Sequence, residues 1–237
     1  MLFTMKRALL VIAKRPQPGR TKTRLTPPLS AHQASQLYEC FLRDCLDLAR
    51  SVVEARHLVL YAPPSQGAYF SALAPDFDLL AQKGADLGQR LDNALTYCLT
   101  HGYGQVVVMN SDGPTLPATY LLQAFAHLAD ADAVFGPSED GGYYLVGLTR
   151  PQPRLLHEVE MSTPTVLQDT LALAKEEGVR VSLLPSWYDI DTISDLRRLL
   201  SGADSLPDGV AVHTRTYLPQ LERQISFTDL NIASING

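Results

Sequence analysis

Two kinds of segment alternate along this chain. Short runs that are apolar throughout are separated by longer stretches in which apolar residues recur every three or four positions. The first pattern suits a strand covered on both faces, the second a helix with one buried stripe. Arg7–Lys14 (RALLVIAK), 57–61 (HLVLY), 77–81, Gln105–Met109 (QVVVM), 133–135, 142–148 (GYYLVGL) and 179–184 read as strands. Ser30 caps a long predicted helix with apolar residues at Ala34, Leu37, Phe41, Cys45, Leu48 and Val52. A short helix follows the Pro-rich loop after residue 61. Longer ones are predicted over 86–99, 117–128 and 162–177, the last with Pro164 in its first turn. Thr192, with Asp195 three residues on, opens a final helix.

Strand alternating with helix predicts an α/β fold, a mostly parallel sheet with helices on both faces. One domain is expected over residues 1–202. After Gly202 the pattern fades, and 203–237 reads as a tail that docks back, mediates homo-oligomerisation or frays. Met5 is a second candidate start.

Composition narrows the function classes. The net charge is −5, without a block of like charge, which argues against non-specific nucleic-acid binding. The first apolar run, residues 8–13, is closed by Lys14 and is too short for a membrane span or a signal peptide. A cytoplasmic location is therefore expected. Cys40, Cys45 and Cys98 match no zinc spacing and read as buried free thiols.

In an open α/β sheet, ligands bind outside the carboxyl ends of the strands, so the polar loops after strands carry the chemistry. After the first strand comes KRPQPGRTKTR (14–24), in which five of eleven residues are Lys or Arg. Arg20, Lys22 and Arg24 offer the charge and forked donors that a polyphosphate needs; the alternative is a solvated basic turn. After the strand ending at Met109 comes Ser111-Asp112-Gly113-Pro114, where Asp112 is either a ligand for a hard divalent cation or a turn former. The segment 137–144 (PSEDGGYY) places Glu139 and Asp140 before two glycines, in a substrate-facing turn or a plain hairpin. In 187–192 (WYDIDT), alternation puts Asp189 and Asp191 on one side of an extended segment, within reach of one metal. A weaker candidate, 82–90 (QKGADLGQR), offers Asp86 and Gly88 for a base or ribose, although helix capping explains Asp86 equally well.

Taken together, AKRPQPGRTKTRL, DLGQRL, NSDGPTLP, PSEDGGYYLVGL and YDIDTISDL resemble a bacterial family of glycosyltransferase-A-like proteins in the nucleotide-diphospho-sugar transferase superfamily. The resemblance runs from about Ala8 to about Leu200. More distantly the layout is similar to 2-phospho-lactate guanylyltransferases and molybdenum-cofactor guanylyltransferases. It implies a Rossmann-like glycosyltransferase-A fold. It also implies phosphate contacts from Arg20, Lys22 and Arg24, and Mg²⁺ or Mn²⁺ held by Asp112 with Asp189 or Asp191 as the second ligand. Lys22, Arg24 and Asp112 would then be catalytic, with Asp140 or Glu139 a candidate acceptor base. The glycine-rich start of many nucleotidyltransferases is replaced here by RPQPGRTKTR, and Asn110 stands where many glycosyltransferases carry an Asp. The expected activity is metal-dependent transfer from a nucleotide sugar to a small-molecule acceptor. The alternatives are nucleotidyl transfer with release of pyrophosphate, and a non-catalytic nucleotide-binding module.

Overall fold

A computed structural model describes residues 6–224 of the chain. Met5 and the last thirteen residues of the expected tail lie outside the described residues. Strand β1 (Arg7–Lys14) leads through a basic loop into α1 (Ala31–Arg50), and β2 (Ala55–Ala62) is followed by the short helix α2 (Gly67–Leu73). Next come β3 (Asp78–Ala81), α3 (Leu87–Thr100), β4 (Gln105–Met109) and α4 (Ala118–His127). β5 (Ala133–Pro137) and β6 (Tyr143–Leu148) form a hairpin, followed by α5 (Pro153–His157), α6 (Val166–Glu176) and β7 (Val181–Leu183). Helices α7 (Ile193–Gly202) and α8 (Val212–Gln224) complete the described chain. No helix among the described residues is long and apolar enough to cross a membrane.

The seven strands form one sheet in the order β3-β2-β1-β4-β6-β5-β7. Every neighbouring pair is parallel except the two that involve β6, which is antiparallel to β4 and to β5. The expected mostly parallel α/β sheet is therefore the observed one. The chain steps outward from β1 to β2 and β3, then returns past β1 to β4. Strand order thus reverses between β1 and β4, and a crevice opens at their carboxyl ends. The loops carrying Lys22 and Asp112 leave from these two strands.

Alternate side chains explain why the sheet is covered twice. Leu9, Val11, Val107 and Met109 face one apolar layer with α1 and α4, while Ala8, Leu10, Val106 and Val108 face another with α3, α5 and α6. A third cluster joins α1, α7 and α8 through Phe41, Ile190, Leu196, Leu199, Leu218 and Leu221. The Ser30–Gln33 capping box fixes the start of α1, and Thr192 with Asp195 does the same for α7.

Three elements differ from the sequence expectation. Helix α6 begins at Val166 rather than Ser162, because Ser162 is left-handed (φ 65°) and 163–165 wrap over the β5–β6 turn. A β-carbon on Gly141 (φ +90°) would lie 1.8 Å from the Pro164 carbonyl oxygen, so only glycine permits that close wrap. Helix α5 was not anticipated, being a single short turn that buries Leu155 and Leu156. Nor was α8. It caps itself on a residue of another helix: Asp44 of α1 accepts the His213 and Thr214 amides (2.8 and 2.9 Å) and the Thr214 hydroxyl (2.6 Å).

Gly88 is buried in α3, and a β-carbon there would lie 1.9 Å from the Leu156 carbonyl oxygen. This is a backbone clash that no rotamer relieves. Gly88→Ala should therefore lower stability by about 2–3 kcal/mol, the scale of overpacking a close helix contact. Urea unfolding measures it; undiminished stability would instead favour Gly88 as a ligand contact.

Candidate functional site

The basic loop is shaped before any ligand arrives. The Arg20 and Thr21 amides donate to the Gln17 carbonyl, and Gly19 turns with φ 73°. Thr21 and Leu25 are buried on either side of Lys22, which is itself left-handed at φ 50°, ψ 41°. That conformation costs an ordinary residue roughly 1–2 kcal/mol. It turns the Lys22 side chain inward, with only 4 % of it exposed.

The Lys22 ammonium lies between two carboxylates, 2.5 Å from Asp112 Oδ1 and 2.6 Å from Asp191 Oδ1. Burial alone would lower its pKa, but the two anions outweigh burial and hold it above the ordinary lysine value. The ion pairs therefore join the loop after β1, the loop after β4 and the segment before α7.

Asp112 is placed by its own turn: its amide donates to Asn110 Oδ1 at 3.3 Å, and its carbonyl accepts the Ile190 amide at 3.0 Å. The second contact fixes the 187–192 segment, together with Ile190 buried in the third cluster. Asp189 has a different partner: Ser138 of the β5–β6 turn donates to its Oδ2 at 3.0 Å. Its Oδ1 is out of solvent and no hydrogen bond of normal geometry reaches it among the described residues, although the Asn110 side chain lies close enough to favour its charge. Burial, with the Asp112 charge second, pushes the Asp189 pKa up to about 7; Asn110, Lys22 and Ser138 act in the opposite direction.

A buried carboxylate oxygen without a partner is costly, and a cation is one remedy. Gly113 leaves room for it, since a β-carbon there would sit 3.3 Å from Asp189 Oδ1. The donors are hard oxygens, as Mg²⁺ or Mn²⁺ prefer. Asp112 and Asp191 each give Oδ1 to Lys22, so the buried Asp189 Oδ1, beside Gly113 of the Asp112 turn, is the oxygen that the donor chemistry fits best to a divalent cation. The three aspartates do not form one compact cluster. Among the described residues the group of three ligands within 4.8 Å is Asp44, Asp47 and His213, on α1 and α8. There the Asp44 oxygens are already occupied by the start of α8.

The remaining candidates divide. Arg20 and Arg24 are exposed on the Lys22 loop, with no ion pair among the described residues. Asp140 is exposed at the same sheet edge, and its Oδ1 accepts the Gly142 amide at 3.0 Å, shaping the turn. Glu139 pairs with Arg198 at 2.6 Å, and the Arg198 guanidinium lies 3.8 Å over the Tyr188 ring. Asp86 is exposed and caps α3 through the Gln89 amide at 2.8 Å. Gly88 is buried against α5 rather than lining the crevice. Sequence reasoning passed over Tyr38 and Ser138 and read Asn110 only as a missing carboxylate. Tyr38 follows Leu37 on the apolar stripe of α1, so only its hydroxyl marked it out, and tertiary structure alone brings that hydroxyl to Ser111.

Known proteins resemble this chain to different depths. The sequence profile of a family described as "uncharacterized protein conserved in bacteria (DUF2064)" matches residues 45–163. A 2-phospho-L-lactate guanylyltransferase of Methanothermobacter thermautotrophicus is 29 % identical over 205 residues, covering 84 % of this chain and 85 % of that one. The crystal structure of a protein provisionally named a nucleotide-diphospho-sugar transferase, from Desulfovibrio desulfuricans G20, is 32 % identical with a TM-score of 0.81. It covers 93 % of this chain and 98 % of its own. A cytidylyltransferase from Leptospira borgpetersenii, 16 % identical, has the same fold with a TM-score of 0.55 over 94 % of this chain and 98 % of its own.

The Asp189 shift has a consequence for stability. Its carboxyl pKa rises from 3.8 to about 7 on folding, so between those values the native state holds a proton that the unfolded chain has lost. The contribution is greatest below about pH 4, falls as pH climbs toward about 7, and is flat above. In metal-free buffer with chelator, Asp189→Asn should gain stability relative to wild type across that window. Denaturant midpoints from pH 4.5 to 7.5 measure this; parallel curves for the two proteins would refute the assignment.

Proposed function

The chain belongs to the DUF2064 family of proteins conserved in bacteria, and from that premise we propose that it is a nucleotidyltransferase. In this reading it moves a nucleotidyl group from a nucleoside triphosphate to a phosphorylated small acceptor and releases pyrophosphate. The observation that carries this reading is the Lys22 ammonium held between Asp112 and Asp191 at the β1–β4 crevice. Two of its three hydrogens serve those carboxylates, leaving the third for a phosphate oxygen. The guanylyltransferase similarity over most of both chains supports it.

An acceptor phosphate oxygen attacks the α-phosphorus, the bond to the bridging oxygen breaks, and pyrophosphate leaves. Lys22 neutralises charge that builds on the α-phosphate, and because it is already buried and paired it need not reorganise. Arg20 and Arg24, exposed beside it, take the outer phosphates. Asp112 and Asp189 would hold Mg²⁺ or Mn²⁺, whose charge assists the departing pyrophosphate. Such an acceptor is already ionised and needs no base. This suits a site whose nominated base, Asp140, is exposed and engaged in its own turn.

Transfer from a nucleotide sugar is the second reading. It is favoured by the Desulfovibrio neighbour's name and by the missing glycine-rich triphosphate loop. The deciding assay offers each nucleoside triphosphate with phosphorylated hydroxy acids and sugars, following pyrophosphate, beside a panel of nucleotide sugars, following nucleoside diphosphate. Pyrophosphate release establishes the first reading. Turnover confined to nucleotide sugars replaces it with the second, and no nucleotide binding at all leaves only a non-catalytic role.

Lys22→Met should slow turnover about 100- to 1,000-fold with a smaller change in KM, as expected for charge stabilisation used mainly in the transition state. Asp112→Asn should abolish the metal dependence of nucleotide binding in calorimetry while leaving the circular dichroism unchanged. A Lys22→Met protein as fast as wild type would remove Lys22 from the chemistry.

A further inference from the structure

Tyr38 belongs to none of the polar loops, yet its hydroxyl stands between two of them. The residue lies in α1 and is 5 % exposed. The Lys14 amide donates to its Oη at 3.2 Å, and the same hydroxyl shares a hydrogen bond with the Ser111 hydroxyl at 2.8 Å. One oxygen thereby ties the last residue of β1, where the basic loop begins, to the residue preceding Asp112. The ring contributes as well: Lys22 Nζ lies 5.9 Å from its centroid and 5.7 Å from that of Phe41, so two aromatic faces wall the ammonium.

Packing alone does not call for the hydroxyl, because phenylalanine would fill the same apolar cluster. A hydroxyl at such a site is unfavourable unless it is bonded, and here both bonds go to the two loops whose spacing matters. We propose that Tyr38 is a positioning residue: by pinning the β1 and β4 loops to one oxygen, it sets Lys22 against Asp112. The proposal deepens the nucleotidyl-transfer reading, and rests on it for the nucleotide arm of the test alone.

The experiment compares wild type with Tyr38→Phe, Ser111→Ala, the double variant and Phe125→Leu, a core change in α4 that serves as a control for general destabilisation. Acetic anhydride labelling of Lys22 is read by peptide mass spectrometry against exposed Lys83 and Lys175, with GTP–Mg²⁺ binding measured by calorimetry and Tm recorded for each protein. Tyr38→Phe should label Lys22 about tenfold faster and weaken GTP binding about tenfold, the scale of losing one buried hydrogen-bonded link. Ser111→Ala should do the same, and the double variant should be no worse than the larger single effect. Unchanged labelling in Tyr38→Phe, equal labelling in Phe125→Leu at matched Tm, or additive effects in the double variant would each overturn the proposal. If wild type binds neither GTP nor any other nucleoside triphosphate with Mg²⁺, the nucleotide reading fails, and the labelling still decides whether Tyr38 positions Lys22.

Discussion

A lysine cannot be buried alone, and much of this structure follows from how Lys22 is accommodated. Its ammonium is nearly out of water, and at that depth an unpaired charge would be neutralised or expelled. Asp112 and Asp191 prevent this by approaching within 2.6 Å from two other segments. Those segments can reach the lysine because the strand order reverses between β1 and β4. Had the chain continued outward from β3, the Asp112 loop would lie at the far edge of the sheet. The left-handed backbone of Lys22 is the local counterpart of this global constraint, in a loop whose neighbouring residues 18–20, 23 and 24 are exposed.

The rest of the site is held by elements that never touch Lys22. Ile190, between the two aspartates of the 187–192 segment, is fully buried in the cluster that α8 completes with Leu218 and Leu221. Asp189 and Asp191 therefore diverge from a fixed residue, one toward Ser138 and one toward Lys22. The β5–β6 hairpin matters for the same reason. Because β6 runs antiparallel to both neighbours, the turn after β5 returns to the edge where β4 ends, and Ser138 can reach Asp189.

Much of this was legible in the residues, and the boundary has physical causes. Strands with continuous apolar runs declared themselves, as β4 did with QVVVM, because covering both faces leaves no polar positions. The caps at Ser30 and Thr192 were readable since the capping residue and its partner are three positions apart. Helix α8 was not, because its cap comes from Asp44, more than 160 residues earlier. The four loops at the sheet edge could be nominated from charge and glycine placement. That Lys22 would face aspartates depends on the fold of three distant segments, as does the division of Asp189 and Asp191 between different partners. Gly88 shows the converse: its packing against Leu156 is a tertiary contact that a local DLGQRL pattern cannot distinguish from a ligand loop.

The charges of the crevice also constrain what can complement it. Two carboxylates hold one ammonium, and an oxygen of a third, Asp189 Oδ1, is buried without a hydrogen-bond partner among the described residues. In the proposed reading, that end of the crevice takes the cation. A few residues away on the same loop, Arg20 and Arg24 extend into solvent and attract anions. A free metal ion would satisfy the first region and be repelled by the second, while a free polyphosphate would meet Asp112 and Asp191 as well as the arginines. A polyphosphate carrying its own divalent ion presents both charges in one ligand. The arrangement thus discriminates by charge pattern rather than by net charge, and this is what makes the metal complex of a nucleotide the fitting occupant of the proposed site.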